Sequence, residues 1–473
     1  MNPDSRRLLP AAAILAAVFL ASCAHVVRAP TRYSVAEHGA IGDGATVNTK
    51  AIQATIDACS AAGGGVLVIP KGVFLRGALY FKTGVDLLVE KDGVLKSTTS
   101  PADFPPIYTR WEGIERYWTS AFLNFVGMRH VTVSGEGTID GSGDAWAGFG
   151  KRARFPGGPR PPRSAAPAPP LPKLSEAYPG GLPSTGAISL APDSAHLPIV
   201  NAAGILIPGG PGRLAPPRAL VFQNCSDVRV SGLSLKNEAR WGFVFIYCQD
   251  VTAEKLTVRA EHYIPSSDGM DVDSCRHVLI TGCDIECDDD CLSIKSGKDE
   301  DGRRVNIPCE DIVVEKTRFG YGQGGAAMGS ETSGGIRNVE VRDCVVENGN
   351  WAPIRIKTQP SRGGVVEDIT YRNIQIEGVL RAFEFDLAWN MRINAPEAAR
   401  VAPVVRRIRL INIHGTARSA GTIRGLKESP IDGVSFEGCS VATDTGLVIE
   451  NARNIDTSGL AIAVKNGDPI IRR

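Results

Sequence analysis

Three aspartates give the most specific chemical signal in this chain. Asp268 follows a pair of serines, and Asp289 and Asp290 end a run of three aspartates further along. Two carboxylates with room for a water between them are what single-displacement glycoside hydrolysis needs: one side activates the water and the other protonates the leaving oxygen. Carboxylates placed side by side repel when both are ionised, so one of them should have a raised pKa. The three residues therefore predict acid and base catalysis at a glycosidic bond.

Two cations further along the chain predict what such a site would hold. Arg355 and Lys357 share the outer face of one predicted strand, and an arginine can bind a carboxylate through two parallel hydrogen bonds. A cationic wall that faces acid catalysts implies an anionic sugar. The alternative is structural, because one aspartate in such a run is usually a solvated turn residue and an Arg–Lys pair is usually a solvated strand face. The functional interpretation depends on the convergence of these side chains.

A repeated segment supplies the framework for that convergence. Each copy contains short β-branched strands of alternating polarity. The copies are NCSDVRVSGLSL from Asn224, YCQDVTAEKLTV from Tyr247, SCRHVLITGCDI from Ser274, PCEDIVVEKTRF from Pro308, GIRNVEVRDCVV from Gly335 and VVEDITYRNIQI from Val365. One coil takes about 22 residues and the excess is loop. Stacked coils share a core that one coil cannot build, so the sequence predicts an all-β parallel β-helix, right-handed as such crossovers almost always are.

A third strand precedes each next coil and fixes which side chains point outward. In the segment GMDVDS, Met270 and Val272 take the inward phase, and Asp271 and Asp273 take the outward phase. The later third strands repeat this phase. Asp271 and Asp273 fall outside the columns that converge on the candidate site, and we interpret both as structural.

Alignment of the coils brings the candidate residues together. It places Asp268 beside Asp290, and it places Asp289 beside Ser267 and Gln323. Three carboxylates and two cations then lie on one outer wall. The cations, two coils further on, are Arg355 and Lys357.

The β-helix is predicted to occupy residues 30–473 with two irregular parts. A helix from Thr49 to Ala62 would cap the open end of the solenoid, and three glycines follow it as a stop signal. Between Gly150 and Pro217 the repeat pattern disappears and a stretch rich in Pro, Gly and Ala replaces it. That stretch is predicted to be an insertion within the domain, either a plain spacer or a wall over the site.

The first 23 residues predict export and lipid anchoring. Arg6 and Arg7 precede an apolar run, and Leu20-Ala21-Ser22-Cys23 resembles the lipobox of bacterial lipoproteins, in which the signal is cut before the acylated cysteine. The resemblance implies a lipidated Cys23, and Ala24 after it favours the outer membrane. Plain secretion is the alternative.

Most of the other ten cysteines recur at fixed repeat positions and predict packed core thiols. Cys287 and Cys291 flank the aspartate run and are the pair most suggestive of a disulfide or a metal site. No histidine lies at ligand spacing, which disfavours zinc. The recurrent positions are those of Cys225, Cys248, Cys275 and Cys309, and of Cys283, Cys344 and Cys439.

Composition excludes several classes of protein. Hydrophobic residues make up 43% of the 473 residues and charged residues 22%, an ordinary globular balance that excludes a disordered chain or a polytopic membrane protein. The formal net charge of +1 gives no electrostatic footprint for nucleic acid. We expect a monomer.

The candidate residues, taken together, resemble glycoside hydrolase family 28, the polygalacturonase family. The resemblance runs from about Tyr33 to at least Ile376 apart from the proline-rich insertion, and flanks such as CLSIKSG, MGSETSGG and RIKTQPSRGG belong to it. Four family motifs have counterparts in the same order: Asn-Thr-Asp as Ser266-Ser267-Asp268, Gly-Asp-Asp as Asp288-Asp289-Asp290, Gly-His-Gly as Gly322-Gln323-Gly324 and Arg-Ile-Lys as Arg355-Ile356-Lys357.

This resemblance implies a right-handed β-helix, inversion at the anomeric carbon, and no metal or other cofactor. It implies that Asp289 is the general acid and that Asp268 and Asp290 activate the water. Arg355, Lys357 and Gln323 would bind substrate, a pectic polysaccharide or oligosaccharide. Trp389 lies where polygalacturonases often place a tyrosine.

Two departures bear on the substrate. Gln323 replaces the family histidine, and an amide can donate and accept hydrogen bonds but cannot exchange a proton. This shifts weight from plain polygalacturonate toward other pectic chains such as rhamnogalacturonan. Ser266 replaces the family asparagine, a milder change. The competing classes are a pectate lyase, which the ordered aspartates argue against, and a β-helix that binds polysaccharide without catalysis, which only Gln323 supports.

Overall fold

Short strands stack in parallel from coil to coil along almost the whole chain. The computed structural model describes residues 30–146, 216–347, 349–389 and 400–473. Within these ranges 31 strands form one continuous, parallel-paired sheet, and two more form a separate antiparallel hairpin. The predicted right-handed parallel β-helix is confirmed.

The strands and helices are numbered here in chain order. The first strands are β1 Arg32–Ser34, β2 Asp43–Val47, β3 Gly65–Ile69, β4 Gly72–Arg76, β5 Leu79–Tyr80, β6 Val85–Val89, β7 Gly93–Ser97, β8 Pro106–Trp111, β9 Ile114–Thr119, β10 Leu123–Val126, β11 Arg129–Gly135 and β12 Thr138–Asp140. The central strands are β13 Leu220–Gln223, β14 Ser226–Ser231, β15 Ser234–Lys236, β16 Phe243–Ile246, β17 Gln249–Glu254, β18 Thr257–Arg259, β19 Met270–Asp273, β20 Arg276–Thr281, β21 Asp284–Glu286, β22 Asp290–Lys295, β23 Cys309–Glu315, β24 Arg318–Phe319 and β25 Gly322–Met328. The last strands are β26 Ile336–Val346, β27 Asn350–Lys357, β28 Val365–Asp386, β29 Val404–Arg424, β30 Ile431–Glu437, β31 Cys439–Glu450, β32 Ala452–Asp456 and β33 Leu460–Arg472. The α-helices of the described ranges are α1 Thr49–Ala61, α2 Gly143–Trp146 and α3 Asp299–Val305, and short 3₁₀ turns cover Ala36–His38 and Pro101–Asp103.

The inward phase of each third strand builds the shared core. Phe125, Phe222 and Phe245 stack from coil to coil, with ring centroids 4.6 and 5.1 Å apart. Full burial of such a side chain stabilises the fold by about 1.5–3 kcal/mol. Met270 and Val272 lie in the same core, as their predicted inward phase requires.

Each copy of the recurrent segment has residues in the left-handed backbone conformation, and one of them is an Asp or Asn at a fixed position in most copies. In Cys225-Ser226-Asp227 and Cys248-Gln249-Asp250 the aspartates have φ of 51° and 57°, and later coils place Asp311, Asn338 and Asp368 at the equivalent position. Asp and Asn tolerate this conformation better than most residues because their short side chains can hydrogen-bond locally. The repeat pattern therefore encodes both the bend and the strand that follows it.

Helix α1 covers the first coils, as predicted. It buries Ile52, Ile56 and Cys59 and contacts β3 and β5. Gly63 and Gly64 follow it with φ of 95° and 106°, a conformation that a glycine adopts without strain.

The antiparallel hairpin β8–β9 was not predicted. Trp111 and Trp118 stack in it with centroids 4.7 Å apart, and Trp241 stacks on Trp111 at 4.8 Å. This aromatic stack covers Val244 and Ile246, which point outward from β16 and are nevertheless 0% exposed. The hairpin therefore buries the outer face of the coils that precede the candidate site.

Several sequence predictions fall outside the described residues. The signal segment with Cys23 lies in residues 1–29, and the predicted insertion between Gly150 and Pro217 lies almost entirely in residues 147–215. In the described ranges no helix is long and apolar enough to cross a membrane.

The ten described cysteines are all buried and free, as expected for core thiols. Cys287 and Cys291, the pair suspected of bonding, are among them. Their sulfur atoms lie 3.3 Å from the Asp289 carbonyl and 3.5 Å from the Tyr321 carbonyl, respectively. In this structure the two thiols therefore contact backbone rather than form a bridge.

Candidate active site

The register between β19 and β22 brings two of the three aspartates side by side. Met270 pairs with Leu292, which places Asp268 opposite Asp290, and the amide of Gly269 donates to the Asp290 carbonyl at 3.0 Å. The carboxylates of Asp268, Asp289 and Asp290 each contribute an oxygen to a cluster whose atoms lie within 4.8 Å of one another. The predicted convergence of the aspartates is therefore present in the structure.

Asp289 is held at the edge of this cluster. Its backbone carbonyl accepts a hydrogen bond from the backbone N–H of Gln323 at 2.7 Å, so Gln323 lies on the neighbouring coil as predicted. Asp289 is 9% exposed, compared with 5% for Asp268 and 1% for Asp290. Asp289 is thus the most accessible of the three.

Asp290 is the anchor for both predicted cations. Its Oδ2 atom contacts Lys357 Nζ, and its Oδ1 atom lies 3.3 Å from Arg355 Nη1. Burial alone would raise the pKa of this carboxyl, but Lys357 and Arg355 outweigh burial and lower its pKa below the usual value. Asp290 is therefore held in the ionised form.

Asp268 has the opposite balance of charges. Burial raises the pKa of Asp268 well above its usual value, and repulsion from Asp271, Asp289 and Asp290 adds to this, while Lys295 opposes it. Lys295 Nζ lies 3.2 Å from Asp268 Oδ2. The neighbouring carboxyls of Asp268 and Asp290 therefore have pKa values shifted in opposite directions, the split expected of a working acid–base pair.

Arg355 lies deeper than the sequence suggested. It is 1% exposed, its Nε atom lies 2.7 Å from Glu384, and its Nη1 atom donates to the Gln323 carbonyl at 2.9 Å as well as to Asp290. The Nε and Nη1 atoms of Arg355 already contact protein groups, and the expected two-bond grip of Arg355 on a substrate carboxylate stays a prediction. Strand alternation predicted the direction of the side chain but not its depth.

Lys357 and Trp389 lie nearer the surface. The Lys357 side chain is 10% exposed, and its Nζ atom lies 5.8 Å from the centroid of the half-buried Trp389 ring. The Arg355 guanidinium carbon lies 4.6 Å from the same centroid. The structure thus places Trp389 beside the two cations.

Gln323 and Ser267 hold the aspartate run through the backbone. Gln323 Nε2 donates to the Asp288 carbonyl at 3.4 Å, and the Ser267 hydroxyl accepts from the Asp288 amide at 3.0 Å. These bonds brace Asp288 from the two neighbouring coils. Gln323 is partly exposed, so its side chain can also meet a ligand.

The two aspartates interpreted as structural have different surroundings. Asp273 pairs with Arg110 of the hairpin at 2.7 Å, in keeping with a structural role. Asp271 lies 2.6 Å from Lys295, the same ammonium that contacts Asp268, so it is linked to the site. The sequence argument also missed Glu384, although Lys295 and Glu384 both stand at outward positions of third strands, and that position was the available signal.

The aspartate cluster is compact enough to suggest a cation, but its surroundings do not fit one. Lys295 contacts Asp268, and Lys357 and Arg355 contact Asp290, so two of the three carboxylates already neutralise protein cations. A metal ion would lie beside these positive groups. We therefore give the cluster no metal-binding role.

The dimensions of the cluster suit a bound water. A water that donates to two carboxylate oxygens at about 2.8 Å holds them about 4.5 Å apart, which the 4.8 Å limit of the cluster allows. Inverting glycosidases usually separate their two carboxyl groups by about 6.5–9.5 Å, a wider spacing than this. That rule concerns one acid and one base, whereas here Asp268 and Asp290 can share the water and leave Asp289 for the leaving group.

Known proteins resemble this chain in sequence and in fold. The chain is 25% identical over 419 residues to a probable polygalacturonase of Vitis vinifera, with 86% of this chain and 74% of the relative covered. Its structure resembles that of an exopolygalacturonase from Thermotoga maritima, with a TM-score of 0.67, 26% identity and coverage of 94% and 93% of the two chains. A Yersinia enterocolitica family 28 exopolygalacturonase shares the fold with a TM-score of 0.71 at 20% identity, covering 94% of this chain and 77% of that one.

The family model described as Glycosyl hydrolases family 28 matches residues 212–459. This match spans 248 of the 473 residues, just over half of the chain, and includes every candidate residue from Asp268 to Trp389. The chain therefore belongs to glycosyl hydrolase family 28 and is a glycoside hydrolase.

Proposed function

We propose that this enzyme hydrolyses galacturonate-containing pectic chains or oligosaccharides, with Asp268, Asp289 and Asp290 as the catalytic residues. The observation that carries the proposal is the cluster of aspartate oxygens within 4.8 Å of one another, with Lys357 in contact with Asp290. Lys357 would neutralise the uronate carboxylate, and Trp389 would offer an apolar face to a sugar ring. Relatives named as polygalacturonases support the substrate class.

The proposed catalytic step gives each of the three carboxyls its own role. Asp290, held ionised, orients a water that it shares with Asp268. As the water oxygen attacks the anomeric carbon, Asp268 takes the proton, which its raised pKa favours. Asp289 gives its proton to the glycosidic oxygen, and the bond from that oxygen to the anomeric carbon breaks. A single displacement of this kind inverts the anomeric centre.

A second candidate substrate rests on Gln323. Its amide cannot exchange a proton, and it stands beside Asp289, the proposed acid. Hydrolysis of rhamnogalacturonan or another pectic chain by the same three aspartates is therefore the alternative. In both cases the reaction is hydrolysis.

We also propose that cleavage takes place at chain ends. The hairpin β8–β9 buries the outer face of the coils that precede the site, so a bound chain would meet a wall on that side. The similar Thermotoga maritima structure is that of an exopolygalacturonase. Slow loss of polymer viscosity relative to the release of reducing ends would support terminal cleavage, and rapid loss of viscosity would contradict it.

Product release from a small panel tests the substrate. Polygalacturonate, rhamnogalacturonan and their oligomers would be incubated with the enzyme, and both reducing ends and absorbance near 235 nm recorded. New reducing ends without absorbance identify hydrolysis and the substrate. Absorbance would indicate elimination, and silence on the whole panel would contradict the proposal.

The cellular setting is a separate proposal that rests on the sequence. Leu20-Ala21-Ser22-Cys23 supports a lipid anchor at Cys23 in the outer membrane, with the catalytic domain acting as a monomer. Incorporation of labelled palmitate into the expressed protein, lost in Cys23→Ser, would support the anchor. Equal labelling of both proteins would contradict it.

A further inference from the structure

Lys295 links the candidate site to two side chains that the catalytic step does not use. Its Nζ atom lies 3.2 Å from Asp268 Oδ2, 2.6 Å from Asp271 Oδ1 and 3.8 Å from the centroid of the Trp241 ring. Lys295, Asp268, Asp271 and Trp241 are 4%, 5%, 0% and 6% exposed. A buried ammonium group therefore bridges two carboxylates, with an aromatic ring over it.

The register of the coils creates this arrangement. Lys295 ends β22 opposite Asp273 on β19, and its outward side chain reaches back to Asp271, two residues earlier on the same strand of the previous coil. Trp241 comes from one coil earlier and belongs to the aromatic stack of the hairpin. Three consecutive coils thus fix the ammonium group, and little freedom is left for it to leave Asp268.

The surrounding charges divide into two sets. Lys295 contacts Asp268, whereas Arg355 and Lys357 contact Asp290. Asp268 is also faced by Asp271 and Asp289, besides Asp290. The charge on Asp268 therefore depends on Lys295 and on Asp271, the carboxylate that competes with Asp268 for the ammonium group.

Lys295 is set to remain charged despite its burial. Burial lowers the pKa of the ammonium group, but Asp271, Asp268 and Glu331 together raise that pKa well above its ordinary value. The Trp241 ring adds a cation–π contact on another side. The cation beside Asp268 is thus permanent over the range in which a glycosidase works.

We propose that Lys295, held by Asp271 and Trp241, is a positioning residue that fixes the orientation and charge of Asp268 for water activation. This proposal rests on the proposed function for the role of Asp268, and on the geometry for the role of Lys295. Asp271 acts in the opposite sense to Lys295, because it draws the ammonium toward itself and repels the Asp268 carboxylate. The pair would set the pH at which Asp268 becomes a working base.

Two substitutions should move the acid limb of the pH profile of kcat/KM in opposite directions. Lys295→Met removes the cation next to Asp268, so the acid limb should move upward by about one to three pH units. Asp271→Asn removes a repelling carboxylate and leaves the ammonium to Asp268, so the limb should move downward. A merely structural role would lower activity or stability without opposite shifts of the profile.

Asp273→Asn is the matched control. It makes the same change two residues further along β19, at a position that is also buried, but Asp273 pairs with Arg110 instead of Lys295. The pH profile of Asp273→Asn should keep the wild-type acid limb. Lys295→Arg, which keeps a cation beside Asp268, should largely keep it too, in contrast to Lys295→Met. Shifts of Lys295→Met and Asp271→Asn in the same direction, or an Asp273→Asn shift as large as that of Asp271→Asn, would overturn the proposal.

If Lys295→Met does not fold, the acid limbs of Asp271→Asn and Asp273→Asn are compared instead, and only that of Asp271→Asn should move. If the wild-type enzyme is silent on every pectic substrate, the proposed function fails, but the Asp268 carboxyl can still be titrated by ¹³C NMR of protein labelled at aspartate Cγ. The Asp268 signal, identified by its loss in Asp268→Asn, should titrate at lower pH in Asp271→Asn and at higher pH in Lys295→Met, and an unmoved signal would overturn the role of Lys295.

Discussion

Arg355 Nε lies 2.7 Å from Glu384 Oε2, and the two side chains are 1% and 2% exposed. Glu384 stands on the next coil, so Arg355 is held from behind before it reaches Asp290. Arg355 is thus part of a chain of buried ion pairs that runs from Glu384 to Asp290, one of the proposed catalytic carboxylates.

Glu384→Gln should therefore destabilise the fold. The substitution leaves a buried guanidinium with only part of its compensation, and loss of one partner of a buried pair costs up to about 3–5 kcal/mol. Urea unfolding measures the loss. Arg381→Ala is the control, because Arg381 contacts the same glutamate at 2.5 Å from a side chain that is 37% exposed, and the expected loss is under about 1 kcal/mol. Equal losses in the two variants would contradict this interpretation.

Asp289→Asn should lower turnover on natural substrate by a factor of about 10²–10⁴ while the protein stays folded, because the proton donor is lost. An aryl glycoside whose leaving group needs no proton should recover most of this loss. Asp290→Asn, which impairs the water instead, should not be rescued by the same substrate. Near-wild-type turnover of Asp289→Asn on pectic chains would remove Asp289 from the mechanism.

Gln323→His restores a group that can exchange protons beside Asp289. If Gln323 sets substrate choice, the ratio of kcat/KM for polygalacturonate to that for rhamnogalacturonan should rise by about tenfold or more, the usual scale of one catalytic hydrogen bond. Gln323→Asn, which keeps an amide, is the control. An unchanged ratio in Gln323→His would place the choice of substrate elsewhere in the groove.

Stability should depend on pH in opposite ways at Asp268 and Asp290. The folded pKa of Asp268 is raised, so wild-type stability falls as pH rises from the unfolded value of about 3.9 through the folded value. Asp268→Asn should therefore raise the melting temperature at pH 7 and leave it unchanged below pH 4. The folded pKa of Asp290 is lowered, so its stabilisation is present above about pH 3.9 and is lost as pH falls through the folded value.

Asp290→Asn should accordingly lower the melting temperature at pH 7. Calorimetry of both variants at pH 4 and pH 7 measures the two effects. Changes of the same sign at pH 7 would show that general repacking, rather than charge, determines the outcome.

The repeat made much of this molecule predictable. Strict spacing between coils determines register, and register determines which residues are neighbours, so Asp268 and Asp290 could be paired from the sequence alone. The same argument placed Gln323 beside Asp289. Local pattern was sufficient because each coil contacts mainly its neighbours.

The burial of outward side chains and the surface that the hairpin covers were not predictable in this way. Trp111 and Trp118 belong to a hairpin outside the repeat, and no periodicity indicates which surface such an insertion covers. Arg355 was correctly placed on the outer face, but alternation distinguishes only two sides of a strand. Whether an outward side chain is exposed to solvent depends on residues of neighbouring coils, such as Trp241 and Glu384.

The buried cysteines give this protein an internal reporter of motion. In the described ranges they occur from Cys59 on the buried face of α1 to Cys439 near the last coils, and every one is a free thiol. Each thiol can react with an alkylating reagent because it is free, and it can do so only while its own coil is open because it is buried. The rate at which successive thiols are labelled under native conditions would therefore trace, coil by coil, where the solenoid begins to unwind.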